Sequence, residues 1–278
     1  MKKDKKTKIL DKLIDLIYFK RVEICVNVNS KKICEFIPKI YYIGNGKTGS
    51  TSIKDGFIDV NVAHWHSLSY FETQYETDLL SSNNYDLYDL IIYIGNKYNF
   101  KPIIIECIRN PFDVGISSVF QHISKERDED GYCELCQIKK YRSDNNVNDT
   151  VQIIKNYINN TINKLPYSYE MFFKHFNIDL LSSFDKDLNY YFNDMNNVCL
   201  LVLKFEDIKN WNEIINNNLP YKFTLKHENK RVNEFYQTIK ENIKYSKKEF
   251  QSYLDCLLIT IFYSNNEIDK LAKKFIKN

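Results

Sequence analysis

Apolar residues fall along this chain in two patterns: short unbroken runs that read as buried strands, and longer stretches with apolar positions three and four apart that read as helices. Residues 5–20 carry Leu10, Leu13, Ile14 and Ile17 at helical spacing among lysines and aspartates, which predicts an amphipathic helix packed on its apolar face. RVEICVNV and KKICEF flank the turn-prone pair Asn29-Ser30 and predict a hairpin. KIYYIGNG is an apolar run that stops at glycines, with a helix expected from TSIKDGF onward. VNVAHWHSL predicts a second strand, and the acidic, Tyr-rich stretch 70–90 predicts helix. KPIIIECIRN is the strongest strand signal, bounded by a proline and an Asn-Pro break, and a helix is expected over Asp113–Ile123. Strand, turn and helix recurring in this order predict a parallel sheet with crossovers.

Past Ser124 the pattern dissolves into SKERDEDGYCELCQIKKYRSDNN, which predicts a long surface loop or insertion. Two helices are expected within 149–176, parted at Leu165-Pro166, then a last strand in VCLLVLKFED and a helical stretch over 231–276. The expected fold class is therefore α/β: a three-layer parallel sheet flanked by helices, with an insertion over about 124–197 and a helical C-terminus, in one domain spanning 1–278.

Composition narrows this only in part. With 278 residues and 44% hydrophobic content the chain can bury a sizeable core, which excludes wholesale disorder. Lys+Arg total 39 against Asp+Glu 36, a net charge of +3, so no nucleic-acid partner is expected and any anion site must come from local placement. The seven cysteines are scattered, several inside apolar runs, and do not form a disulfide framework. Cys133-x-x-Cys136 lacks the second ligand pair of a tetrahedral zinc site, so no metal is expected. The basic head is followed by an apolar stretch broken at Asp11, Lys12 and Asp15, and no run reaches the roughly 20 apolar residues of a membrane span. The location expected is the cytoplasm.

Two segments carry chemistry. Gly44-Asn45-Gly46-Lys47-Thr48-Gly49-Ser50-Thr51-Ser52 lies between a strand and a helix, where glycines let N–H groups converge and Lys47 and hydroxyls add donors, the make-up of a phosphate cradle. It contains Gly-Lys-Thr, yet the nucleoside-triphosphate loop needs a glycine at position 41, where this chain has Tyr41. The second segment is Arg109-Asn110-Pro111-Phe112-Asp113 running on to Ser117. Pro111 suits the first helical position with Asn110 as cap, leaving Arg109 at the sheet edge and Ser117 two turns on, a guanidinium and a hydroxyl able to hold a second anion.

Taken as a pair, GxxKxGSTS and RNPxDxxxS resemble the two binding elements of the sulfotransferases that use 3′-phosphoadenosine 5′-phosphosulfate (PAPS). KTGSTSI, HWHSL, RNPFDVGISSVFQH, FFKHFNIDLL and LLVLKFEDI more narrowly resemble a sulfotransferase-like family of capsular-polysaccharide-synthesis proteins, over about residues 40–210. The resemblance implies a P-loop-like fold and transfer of the sulfuryl group of PAPS to an acceptor hydroxyl, on a carbohydrate or small molecule. It implies that Gly46, Lys47, Thr48, Gly49, Ser50, Thr51 and Ser52 hold the phosphosulfate, with Lys47 also catalytic, and that Arg109 and Ser117 hold the 3′-phosphate. Gly46-Lys47-Thr48 departs from the Pro or Arg that many sulfotransferases place before the lysine.

His64 and His66 flank Trp65, and alternate residues of a strand share a face, so both are candidates for the base that takes the acceptor's proton. His122 and Glu72 stand behind them. Lys226, His227, Asn229, Lys230 and Arg231 form a basic cluster that fits either a lid or a solvated face. Two other readings stay open: a nucleoside-triphosphate-dependent kinase, and a nucleotide-binding protein without catalysis.

Overall fold

The computed structural model describes residues 4–19, 37–44, 48–65, 68–75, 77–123, 132–133, 138–139, 146–162, 167–226 and 234–277. The hairpin expected over 21–36, as well as Gly46, Lys47, His66, Cys136 and the basic residues 227–231, lies outside them.

Strands β1 (Ile40–Ile43), β2 (Val62–Trp65) and β3 (Ile103–Ile108) fall on the apolar runs that predicted them; β4 (Tyr132–Cys133) and β5 (Ile138–Lys139) make a small antiparallel ribbon, and β6 (Tyr190–Asp194) precedes β7 (Cys199–Lys204). The main sheet runs β2-β1-β3-β7-β6. Its first four strands are parallel, with Tyr42 beside His64, Ile40 beside Ile103 and Ile103 beside Cys199. β6 is antiparallel to β7, so the sheet is mostly parallel and carries one reversed edge strand that the sequence reading did not foresee.

Every residue of β1, β3 and β7 is buried, which is why these strands are apolar without alternation. On one face Tyr41, Ile43, Ile104, Ile108, Leu200 and Val202 meet helices on either side of the insertion and the C-terminal helices. On the other, Ile40, Tyr42, Ile105, Cys107, Leu201 and Leu203 meet Ile53, Trp211 and Ile215 from two shorter helices. Helices thus cover both faces, and the layers are helix, sheet, helix.

Helix α1 (Lys5–Ile14) buries Leu10, Leu13 and Ile14 as its spacing predicted, with Ile17 buried just past its end. Its polar side is tied down as well: Asp11 accepts from Tyr93 Oη (2.7 Å) and Lys97 Nζ (2.6 Å). Between β2 and β3 the stretch expected to carry helix holds two, Leu68–Gln74 and Leu87–Tyr98, with a single 3-10 turn at Ser81–Asn83 between them. The break comes from Asp86, whose carboxylate accepts from the Tyr88 and Asp89 N–H groups while Asp89 returns to the Asp86 N–H, a capping box that starts the second helix. The helix Pro111–Ile123 packs so closely on Val147–Thr161 that a Cβ on Gly115 would stand 2.3 Å from Ile158 Cγ1. The stretch 231–276 holds helices Glu234–Asn242, Lys247–Leu254, Leu257–Phe262 and Asn265–Phe275. Among the described residues no helix is long and apolar enough to cross a membrane.

The order of strands gives the sheet one point where successive connections reverse direction. The chain leaves β1 through helix Ser50–Gly56 to β2 on one side, while β3 lies on the other side of β1 and leads away from it toward β7. The connections from β1 and β3 therefore leave in opposite directions, which makes this the switch point of the sheet.

Candidate functional site

The described parts of both sequence-predicted segments lie at that switch point. β1 ends at Ile43, and after Gly44 the described chain resumes at Thr48, with helix Ser50–Gly56 following. Thr48, Ser50 and Ser52 are buried, whereas Thr51 is exposed. The Thr48 and Tyr42 hydroxyls are hydrogen-bonded at 2.5 Å. Burial first, then the neighbouring Cys107 and Glu106, pushes the Tyr42 phenol well above its ordinary value, so it remains neutral. Gly49 has φ 98°, the left-handed region, and a Cβ there would come within 2.5 Å of Trp211 Cη2 and 3.2 Å of Phe205 Cδ2. Only glycine meets both demands without strain.

At the end of β3, Asn110 caps the next helix as its position before Pro111 predicted, its Oδ1 accepting from the Asp113 N–H at 2.8 Å. Its Nδ2 donates to Asp113 Oδ2 and to Glu206 Oε1, both at 2.8 Å, and its backbone N–H donates to the same Glu206 oxygen. Asp113 in turn accepts from Lys274 through both carboxylate oxygens at 2.8 Å. Burial alone would raise the Asp113 carboxyl; the charge and hydrogen bonds of Lys274 outweigh it and hold the group below its usual range. Arg109 stacks on Phe205, its Cζ 4.2 Å from the ring centroid. Ser117 is half-buried on the same helix, four residues beyond Asp113 and so on its face.

A third segment, which sequence reasoning matched to a family pattern without giving it a role, joins the other two. Lys204, at the end of β7, is fully buried and donates to Glu267 Oε2 (2.7 Å) and Asn189 Oδ1 (3.0 Å). Phe205 touches both the Gly49 position and Arg109, and Glu206 holds Asn110. Trp211 closes the set, its Nε1 donating to the Lys204 carbonyl at 3.0 Å while its ring fills the space beside Gly49. The signal available in the sequence was the lone aromatic followed by two acids at the exit of an apolar strand.

Glu106 was also legible and passed over: a single carboxylate inside IIIECI. It is 1% exposed, and its Cγ would lie 3.5 Å from a Cβ on Gly44, which puts the side chain beside the root of the first loop.

The candidate bases separate. His64 sits on β2, half-buried, with its ring edge-on to Tyr42 at 5.2 Å, one residue contact away from Thr48. His66 lies outside the described residues, as does the side chain of His122. Glu72 accepts from the Ser81 N–H at 2.8 Å and so fixes a turn between helices. Cys107, Cys199 and Cys256 are free buried thiols.

Among the described residues Asp86, Asp89 and His175 are the one group whose ligand atoms cluster closely enough to hold a metal. Each has another explanation: Asp86 accepts from Lys174 Nζ (2.6 Å) and pairs with His175 Nε2 (2.8 Å), and Asp89 pairs with Lys6 (2.7 Å). These contacts complete the helix cap already described.

No protein-family model matches the chain, and neither a curated protein nor a solved structure matches it.

Proposed function

We propose that this protein is a sulfotransferase, taking the sulfuryl group from PAPS and passing it to an acceptor hydroxyl. The observation that carries this reading is the meeting of the Thr48–Ser52 segment with Arg109 through Phe205 at the switch point of the sheet. The buried hydroxyls of Thr48, Ser50 and Ser52 suit the phosphosulfate end, and a guanidinium braced on an aromatic ring suits the 3′-phosphate. Lys47, by the sequence resemblance, completes the first cradle.

In the proposed reaction the acceptor oxygen forms a bond to sulfur as the bond from sulfur to the 5′-phosphate oxygen breaks, the electron pair leaving on that oxygen. The acceptor proton goes to a histidine, His64 or His66, and Lys47 with the loop N–H groups receives the charge developing on the leaving oxygen. The acceptor class proposed is a carbohydrate hydroxyl, which rests on the family resemblance. A cytoplasmic setting is part of the same proposal, in keeping with buried Cys107, Cys199 and Cys256 serving as unpaired small hydrophobes.

Glu106 favours one second reading. A buried carboxylate on the strand beside a Gly-Lys-Thr loop is where nucleoside-triphosphatases and related kinases hold magnesium, so a triphosphate-dependent kinase is the alternative. Thermal unfolding decides between them. Adenosine 3′,5′-bisphosphate at 100 times its Kd should stabilise the fold by about 2.7 kcal/mol. A shift with ATP and magnesium and none with the bisphosphate would replace the sulfotransferase by the kinase. Transfer of labelled sulfate from PAPS to a carbohydrate then separates an enzyme from a protein that only binds nucleotide.

A further inference from the structure

Positive charge is gathered at one place on this nearly balanced chain. Residues 240–249 hold four lysines and two glutamates, and residues 269–277 hold four lysines and one aspartate, an excess of five positive charges where the whole chain carries +3. The rest of the chain is thus slightly negative. The two lysine-rich segments lie side by side. The Tyr245 N–H donates to the Phe275 carbonyl at 2.7 Å, the Lys277 N–H donates to the Tyr245 carbonyl at 2.9 Å, and Lys244 Nζ donates to the Lys274 carbonyl at 2.6 Å. Helix Val147–Thr161 adds Lys155, whose Nζ stands 4.6 Å from the Tyr245 ring centroid.

Little of this charge is matched within the protein. Lys247, Lys248, Lys270, Lys273 and Lys277 are all exposed, and among the described residues the first four form no ion pair. Glu249 is held below its ordinary value by hydrogen bonds with Ser246 first, and then by the Lys155 and Lys277 charges, so one carboxylate answers two of the lysines. Lys247 and Lys248 also open the helix Lys247–Leu254, at the end where the helix dipole disfavours cations. An anion laid over that end would offset the local cost.

The lysine surface is continuous with the candidate site. Lys274, whose carbonyl accepts from Lys244, donates through its own Nζ to Asp113, four residues beyond Arg109. We infer that this surface holds an anionic polysaccharide, the acceptor of the proposed reaction, where it runs outward from the switch point of the sheet. This rests on the sulfotransferase reading, which supplies a carbohydrate acceptor; the surface adds that the acceptor carries carboxylate groups along its length. Other polyanions fit less well. Tyr245 and Phe275, the two aromatic residues of these segments, are buried and offer no ring on which a nucleic-acid base could stack. Leu271 and Phe275, on the apolar face of the last helix, are turned into the core and away from any lipid surface.

The test is calorimetric binding of a polygalacturonate oligosaccharide, an uncharged dextran oligosaccharide and adenosine 3′,5′-bisphosphate to wild type and to two variants, Lys270→Gln/Lys273→Gln/Lys277→Gln and Lys247→Gln/Lys248→Gln. Polygalacturonate should bind wild type and weaken with added salt, and its affinity should fall about tenfold in the triple variant and about threefold in the double. Dextran should bind none of the three proteins, and the bisphosphate should stay within about twofold in all of them. Equal polygalacturonate affinity across the three proteins, or dextran binding as tightly, overturns the inference. Duplex DNA that binds more tightly than polygalacturonate and is lost in the same variants makes the surface a nucleic-acid site and overturns it too. A wild-type protein that does not bind the bisphosphate overturns the sulfotransferase reading instead, so the two failures are distinct. A measurement on the unaltered chain needs no variant to fold: acetylation by an amine-reactive ester, read by mass spectrometry, should be slowed at Lys270, Lys273 and Lys277 by polygalacturonate and not by dextran. Equal labelling with both is the contrary result.

Discussion

The central carbon of the Arg109 guanidinium stands 4.2 Å from the Phe205 ring centroid, and the same ring borders the space beside Gly49. One aromatic side chain therefore touches both of the segments proposed to bind anions. Phe205→Leu keeps apolar bulk and removes the π face, a contribution of roughly 0.5–2 kcal/mol. Affinity for adenosine 3′,5′-bisphosphate should fall about two- to thirtyfold, and Arg109→Ala should fall further while binding adenosine 5′-phosphosulfate nearly as wild type does. Calorimetry on the two variants checks this; an Arg109→Ala variant that loses both nucleotides equally would show that Arg109 does not read the 3′ position.

Gly49→Ala should destabilise the fold. A side chain in the left-handed region costs about 1–2 kcal/mol, and forcing a methyl against Trp211 adds about 1–3 kcal/mol. Chemical denaturation should show a loss of roughly 2–5 kcal/mol, and an unchanged midpoint would mean that Trp211 yields freely.

Replacing His64 by Asn should cut kcat by about 10²–10⁴-fold if this imidazole takes the acceptor proton, with bisphosphate affinity within twofold of wild type. The matching His66→Asn variant identifies which histidine acts. Near-normal turnover in both would move the base elsewhere, with His122 next.

Asp86 makes stability depend on acid. Burial disfavours its charged form, but hydrogen bonds from His175 and Lys174 overcome this and bring the carboxyl to about 2. Because the folded value lies below that of the unfolded chain, about 3.9, the contribution is full above pH ~4 and is lost as pH falls toward about 2. At neutral pH it amounts to about 2 kcal/mol. Asp86→Asn, which can still cap the helix, should be less stable by about that amount at pH 7, and the gap should close between pH 4 and 2 in urea titrations.

Much of the frame was legible because β1, β3 and β7 are covered on both faces and so had to be unbroken apolar runs. β6 escaped for the converse reason. Its residues are mostly half-buried at the sheet edge, and Tyr190–Asp194, with Asn and Asp at its end, carries neither a clean alternation nor an apolar run. At the site, Asn110 and Gly49 could be read from local rules of capping and turn geometry. Glu206 could not: its partner Asn110 is 96 residues away, and nothing in the spacing of either announces the other.

Helix Asn265–Phe275 holds Glu267, the partner of buried Lys204, and Lys274, the partner of buried Asp113. The second of these pairings joins residues 161 positions apart. Without this helix both loops would still be present, yet Lys204 would lose the carboxylate of Glu267, and Asp113 would lose both hydrogen bonds from Lys274 and keep as its nearest ammonium only the more distant Lys240, at 3.9 Å. The residues that seat the ends of β3 and β7 are thus far apart in sequence from the strands they serve, and these strand ends settle only once helix Asn265–Phe275 has docked.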